Sequence, residues 1–175
     1  MFTRKIKNAA AAVALVALAS PGHAATPEQP TLIDAAVALN APGGEFEGAF
    51  DTLLAAVLVA DPAVLEKLAG FGQHTVFAPT DDAFEAVGLT PANIGTLDQD
   101  TLTQILLYHI AQGRLNANVV TSRDSLRMVF GGRIQQAGGV ITDNTGGQAT
   151  IIVTDLRTEN GIVHAIDAVI LPFEL

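Results

Sequence analysis

The sequence predicts an α+β domain in which helices come first and strands last. Two observations carry that reading. Apolar residues recur at spacings of three and four through the first half, whereas short β-branched runs between glycine-rich turns fill the chain from Arg127 onward. The two kinds of element are also segregated, which argues against alternating βαβ units.

The domain is expected to begin after an export segment. Arg4, Lys5 and Lys7 precede an apolar run over 9–19, then Ser20-Pro21 and Gly22-His23-Ala24. Basic residues, a short apolar stretch and a small-residue site form a signal peptide over 1–24, with cleavage expected after Ala24. The run falls well short of the roughly 20 residues a spanning helix needs, so no transmembrane segment is expected once the signal is removed. Residues 25–31 read as a flexible lead-in and 32–175 as one domain. The 151 residues after the signal are enough to bury about two thirds of the unfolded surface. With no cysteine, an exported chain must rely on its core and carries no lipid on a cysteine. Removing the three basic residues of the signal takes the net charge from −9 to −12. The remaining basic residues (Lys67, Arg114, Arg123, Arg127, Arg133, Arg157) form no dense run, so nucleic acid is not an expected partner.

Within the domain, a first helix is predicted over 32–39, stopped by Asn40-Ala41-Pro42-Gly43-Gly44. A second is predicted over 46–60, with Phe46, Phe50, Leu53, Leu54, Val57 and Leu58 on one stripe. Asp61-Pro62 ends it and caps a third, which runs to Gly70. Thr75-Val76-Phe77 reads as a strand. Thr80 then caps a helix whose first turn carries Asp81 and Asp82, acids that suit the positive end of the helix dipole. The clearest helix is expected over 101–110, started by Asp98 or Asp100 and stopped by Gly113, with Leu102, Ile105, Leu106 and His109 on one face. Strands are expected over 128–130, 133–136, 140–142, 149–154 and 162–171.

Two stretches resemble the paired signature motifs of fasciclin (FAS1) domains. They are Thr75-Val76-Phe77-Ala78-Pro79-Thr80-Asp81-Asp82-Ala83-Phe84 and Asn160-Gly161-Ile162-Val163-His164-Ala165-Ile166-Asp167-Ala168-Val169-Ile170-Leu171-Pro172. Tyr108-His109 between them matches the family's central pair, and the similarity extends from about Leu32 to Pro172. The resemblance implies a helical layer packed on a β-wedge and a role in adhesion and extracellular contacts. In animal members the tyrosine-histidine pair and an Asp-Ile dipeptide are associated with receptor binding, and here they map to Tyr108, His109, Asp155 and Leu156. Two positions depart from the pattern: His74 stands where an aromatic or apolar residue is usual, and Leu156 replaces the isoleucine.

The residues themselves offer little to catalysis. Ser122 and Ser125 lie outside any G-x-S-x-G, there is no cysteine, and no nucleotide-binding motif occurs. His74, His109 and His164 lack zinc spacing, and 143–147 lacks the full calcium-loop pattern and reads as a hairpin turn. His109 and His164 sit in apolar elements as hydrogen-bonded structural groups, and Asp167, three residues after His164, faces away from it on a regular strand. No enzyme activity, metal or cofactor is therefore expected. The expected function is a secreted or periplasmic, or surface-associated, domain that binds a cell-surface or matrix protein or a polysaccharide. The alternative is a carrier of an apolar small molecule such as a carotenoid or lipid, held in a groove between wedge and helices.

Overall fold

Helix starts follow the side chains able to accept free backbone N–H groups. In the computed structural model, which describes residues 31–43, 46–70 and 73–174, Thr31 opens α1 (Leu32–Asn40) through a reciprocal capping box with Asp34. Asp61 accepts from Ala63 N–H at 2.8 Å to start α3 (Pro62–Ala69). Thr80 opens α4 (Asp81–Ala86), and Asp98, the first of the two candidate acids, opens α5 (Gln99–Tyr108) by accepting from Thr101 N–H at 3.1 Å. Helix α2 (Asp51–Val59) has no cap of its own. Its first amides are met from outside: Asn40 Oδ1 accepts from Phe50 N–H, and the Asp81 carboxylate accepts from Asp51 and Thr52 N–H at 3.2 and 2.8 Å. The signal peptide and residues 25–30 lie outside the described residues.

Several predicted boundaries move. Helix α2 starts at Asp51 rather than 46 because Gly48 takes φ +67° and 46–50 form turns, although the rings of Phe46 and Phe50 still meet at 5.9 Å. Helix α5 ends at Tyr108; His109 is its C-cap, and Ile110 enters an unanticipated strand, β2 (Ile110–Gln112). A five-residue helix, α6 (Ala117–Thr121), capped by Asn116, was also not expected. The strand expected over 128–130 lies earlier, as β3 (Ser125–Arg127), because Gly131 and Gly132, at φ +108° and +72°, turn the chain at once into β4 (Arg133–Ala137). Strand β5 (Val140–Thr142) agrees with the prediction, and β1 (His74–Pro79) and β6 (Gln148–Arg157) extend theirs. Strand β7 (Gly161–Ile166) stops five residues early, since its last partner on β1 is Pro79, where that strand gives way to α4.

The strands form one sheet in the order β2-β1-β7-β6-β5-β4-β3, with β1 and β7 parallel and the other neighbours antiparallel. The ends of that order meet again: Ala111 bridges to Met128, and Val129 N–H donates to Ile110 C=O at 2.7 Å. The sheet thus closes on itself through a narrow seam between β2 and β3.

Two apolar cores result. One, containing Phe50, Leu53, Ala56, Val64, Phe84, Ile94, Leu102 and Ile105, lies between the helices and the β1–β7 face. The other, containing Phe77, Tyr108, Leu126, Met128, Ile134 and Ile141, fills the interior of the closed strands. Full burial of each such large side chain contributes about 1.5–3 kcal/mol.

Candidate functional site

Parallel pairing of β1 with β7 lays the two signature stretches side by side, with Thr75 opposite Ile162, Phe77 opposite His164 and Pro79 opposite Ile166. The approach is close enough to require glycine at 161, where a Cβ would stand 2.2 Å from the His74 carbonyl oxygen. Around this junction the polar motif residues tie backbone segments together. Buried Asn160 accepts from Leu32 N–H and donates to the carbonyls of Leu68 and Gly70, joining α1, α3 and the β6–β7 turn. Thr75 Oγ1 donates to Gly113 C=O and accepts from Leu115 N–H, both at 2.8 Å. Asp167, which is exposed, accepts from Thr150 N–H at 2.6 Å, away from His164.

Tyr108 and His109 sit at the same junction with 0 % and 2 % of their surface exposed. The Tyr108 hydroxyl donates to Arg133 C=O at 3.3 Å, its ring meets Phe130 edge-on at 6.5 Å, and burial raises its pKa. His109 Nε2 accepts from Ile170 N–H at 3.1 Å, so Nδ1 carries the proton and donates to Ile105 C=O at 2.8 Å. Burial brings its pKa down to about 4, against smaller opposing effects of the Ile105 carbonyl and the Asp143 charge. Asp143 secures the same neighbourhood by accepting from Thr145 and Gly147 N–H in its own turn and from Leu171 N–H at 2.8 Å.

Asp155 and Leu156 lie on β6, where the pairing with β7 slips. Asp155 takes φ +62°, an uncommon conformation outside glycine. That turn aims its carboxylate at Ala117 N–H (2.8 Å) and its own N–H at His164 Nδ1 (3.2 Å). His164 is fully buried and stacks on Phe77 with ring centroids 5.7 Å apart; its Nε2–H donates to Leu115 C=O, and burial lowers its pKa. Leu156 is half-buried against the helix-side core.

The four residues marked for receptor contact are therefore not gathered on one exposed face. Tyr108 and His109 are interior, and Asp155 is engaged by α6 and β7. Both nitrogens of His109 and of His164 are occupied by backbone groups, leaving neither imidazole free to exchange a proton with a substrate. Among the described residues no group of three or more His, Cys, Asp or Glu side chains could hold a metal ion, and no helix is long and apolar enough to cross a membrane. The apolar cavity between α1, α2 and β1, lined by Leu32, Ile33, Leu53, Val57 and Phe77 among others, measures about 50 Å³. Small-molecule pockets run from roughly 300 to 1,000 Å³, so an elongated apolar ligand would first have to part these helices.

Sequence reasoning missed the contribution of Asp143 to the C-terminal segment and that of Asn40 to the start of α2, because in both the partner is a backbone amide that side-chain patterns do not report. It also missed the gathering of Arg123, Arg127 and Arg133 around one open cleft at the seam. The available signal was the polar–apolar alternation of Ser125-Leu126-Arg127 and Arg133-Ile134-Gln135, which puts the two arginines on the faces opposite Leu126 and Ile134.

Comparison with known proteins agrees with this architecture. A profile of the Fasciclin domain matches residues 48–172. Protein sll1483 of Synechocystis sp. is 37% identical over 126 residues, covering 70% of this chain and 67% of that one. The transforming growth factor-beta-induced protein ig-h3 of Sus scrofa is 32% identical over 130 residues, 73% of this chain but 18% of its own length. Among solved structures, a FAS1 domain pair from the insect cell adhesion molecule Fasciclin I superposes with a TM-score of 0.54 at 27% identity, covering 70% of this chain and 45% of the pair.

Proposed function

The chain belongs to the Fasciclin domain family, and from that premise we propose that it is an exported binding domain which attaches its cell to an extracellular partner. The observation that carries the reading is the use to which the chemistry-bearing motif residues are put. Asn160, Thr75, Asp81, His109 and His164 all hydrogen-bond the backbone of neighbouring segments, an arrangement that holds a rigid frame and supports surface contact rather than turnover. The insect structure it superposes on comes from a cell adhesion molecule. Export through the segment at 1–24 would place the domain outside the membrane, where such contacts are made. Carriage of a carotenoid or lipid has no comparable support, because the interior apolar cavity is several-fold too small.

The test is attachment of the source cell to a surface or to neighbouring cells, with and without the protein. Cells lacking it are expected to attach less, with attachment restored by the full chain supplied in trans. Equal attachment by the two strains would overturn the reading.

A further inference from the structure

We propose that the seam between β2 and β3 is a binding cleft for an anionic saccharide, a sugar unit carrying a carboxylate or sulfate. The proposal rests on the reading of the chain as an exported contact domain and names the chemistry of its partner.

After residue 24 the chain has six basic residues against eighteen acidic ones. Three of those six, Arg123, Arg127 and Arg133, line a single open cleft of about 530 Å³ together with Gln112, Ser122 and Ser125. Asp124 also lines it, so three guanidinium groups against one carboxylate leave a local charge of +2 on a protein whose net charge is strongly negative.

The arginines are brought together by register. Arg127 on β3 faces Arg133 on β4 in an antiparallel pair, so both side chains stand on the same side of the sheet, while Leu126 and Ile134 between them point into the core. Like charges at directly opposed positions oppose pairing of the strands. Arg133 Nε donates to Ser125 Oγ at 3.0 Å, across the diagonal of the same ladder, which holds that guanidinium at the wall of the cleft. By contrast Arg114 is spent on structure, donating to the carbonyls of Thr158 and Glu159.

Planar guanidinium forks that line one cleft can match carboxylate and sulfate oxygens in bidentate fashion. The amide of Gln112, the Ser125 hydroxyl, which can still donate while accepting from Arg133, and the Ser122 oxygen, which can still accept while donating to Val119 C=O, add neutral partners for sugar hydroxyls. The cleft is open and mostly polar, which suits a solvated sugar lying along it rather than an enclosed apolar ligand. The strongly negative net charge of the chain disfavours a long polyanion, which favours one or two anionic sugar units over an extended nucleic acid.

The experiment is titration calorimetry on the exported full chain at moderate salt. The probes are a short oligogalacturonate, a sulfated oligosaccharide, a neutral oligosaccharide of similar length, inorganic sulfate and single-stranded DNA. At least one anionic oligosaccharide is expected to bind, more tightly than the neutral sugar, inorganic sulfate and DNA. Arg127→Gln with Arg133→Gln should weaken it about tenfold or more. The charge-matched variant Lys67→Gln with Arg157→Gln, at positions outside the cleft, should hold affinity within roughly twofold, since screening leaves distant charges little influence. Circular dichroism on both variants verifies that each is folded. Equal loss in the two double variants, equal binding of the neutral sugar, or inorganic sulfate or DNA competing as well as the saccharide would each overturn the proposal. An attachment defect without saccharide binding would sink the cleft and spare the adhesion reading; saccharide binding without an attachment defect would do the reverse.

Discussion

The β1–β7 junction and the β2–β3 seam are built from opposite materials. At the junction two strands run parallel beneath the helices, and His109, His164, Asn160 and Thr75 are buried with backbone partners. At the seam, bridge pairing comes down to Ala111 with Met128, and the charged side chains on the outer face of β3 and β4 are exposed. The signature stretches that identify the family lie at the junction, so they report how the frame is held. If the seam is the contact surface proposed above, partner chemistry lies on residues the signatures do not include. The contrast also predicts where substitutions hurt: severely at the junction, where a change leaves a buried group unpaired or overlapping, and little at the seam, where water replaces what is lost.

The largest effect is expected from Gly161→Ala. Its φ lies outside the left-handed range, so the obstacle is space: the new methyl would overlap the His74 carbonyl oxygen and press on Leu32 Cδ1 at 3.1 Å. Relief requires β1 and β7 to separate or α1 to shift, at a cost of at least about 3 kcal/mol. Urea denaturation of the purified variant measures this. A loss under about 1 kcal/mol would show that the junction yields more readily than its packing implies.

Next comes acid. His109 has a pKa near 4 in the folded chain and about 6.5 when unfolded. Because the folded value is the lower one, the stability this group protects is complete above pH 6.5 and is lost as pH falls toward 4, where the unfolded chain takes up a proton that the native site refuses. The loss amounts to roughly 3 kcal/mol. His74 and His164, also lowered by burial, act in the same direction. Denaturation midpoints at pH 7.5, 6 and 5 should fall steadily, and His109→Leu, already weakened by leaving Ile170 N–H unpaired, should fall less steeply over the same interval. Midpoints that stay level from pH 7.5 to 5 would mean that His109 is not held neutral by its surroundings.

How far the sequence disclosed these two regions follows from the same physics. Helices α3, α4 and α5 were legible through Asp61, Thr80 and Asp98, since a cap and the amide it satisfies are close in sequence. The α+β class was legible through periodicity, and the fasciclin fold through its motifs. What escaped depended on distant partners. The three residues of β2 are a strand only because β1 offers its edge to them, and the start of α2 is set by Asp81, thirty positions away from Asp51. The burial of His109 was legible, because it shares a helix face with Leu102, Ile105 and Leu106, but that of Tyr108 was hidden, since a tyrosine at a helix end looks the same whether the sheet closes over it or leaves it open. The arginine cleft needed the register of β3 on β4, which a one-residue slip would have destroyed.

The smallest effect, and the one that sharpens the contrast most, is expected from Arg127→Gln alone. Arg127 is exposed and stands directly opposite Arg133, so the substitution removes a like-charge pair without taking away any buried contact. Stability should hold or rise by a few tenths of a kcal/mol at low ionic strength, and the difference should shrink in 1 M salt as screening suppresses the repulsion. Denaturation at the two salt concentrations gives both numbers. A gain that fades with salt would mean that the arginine pair is kept against the interest of the fold, as a site for anion recognition would require. A loss greater than about 1 kcal/mol would instead make Arg127 a structural residue like those of the junction, and the division between frame and contact surface would no longer fall at the seam.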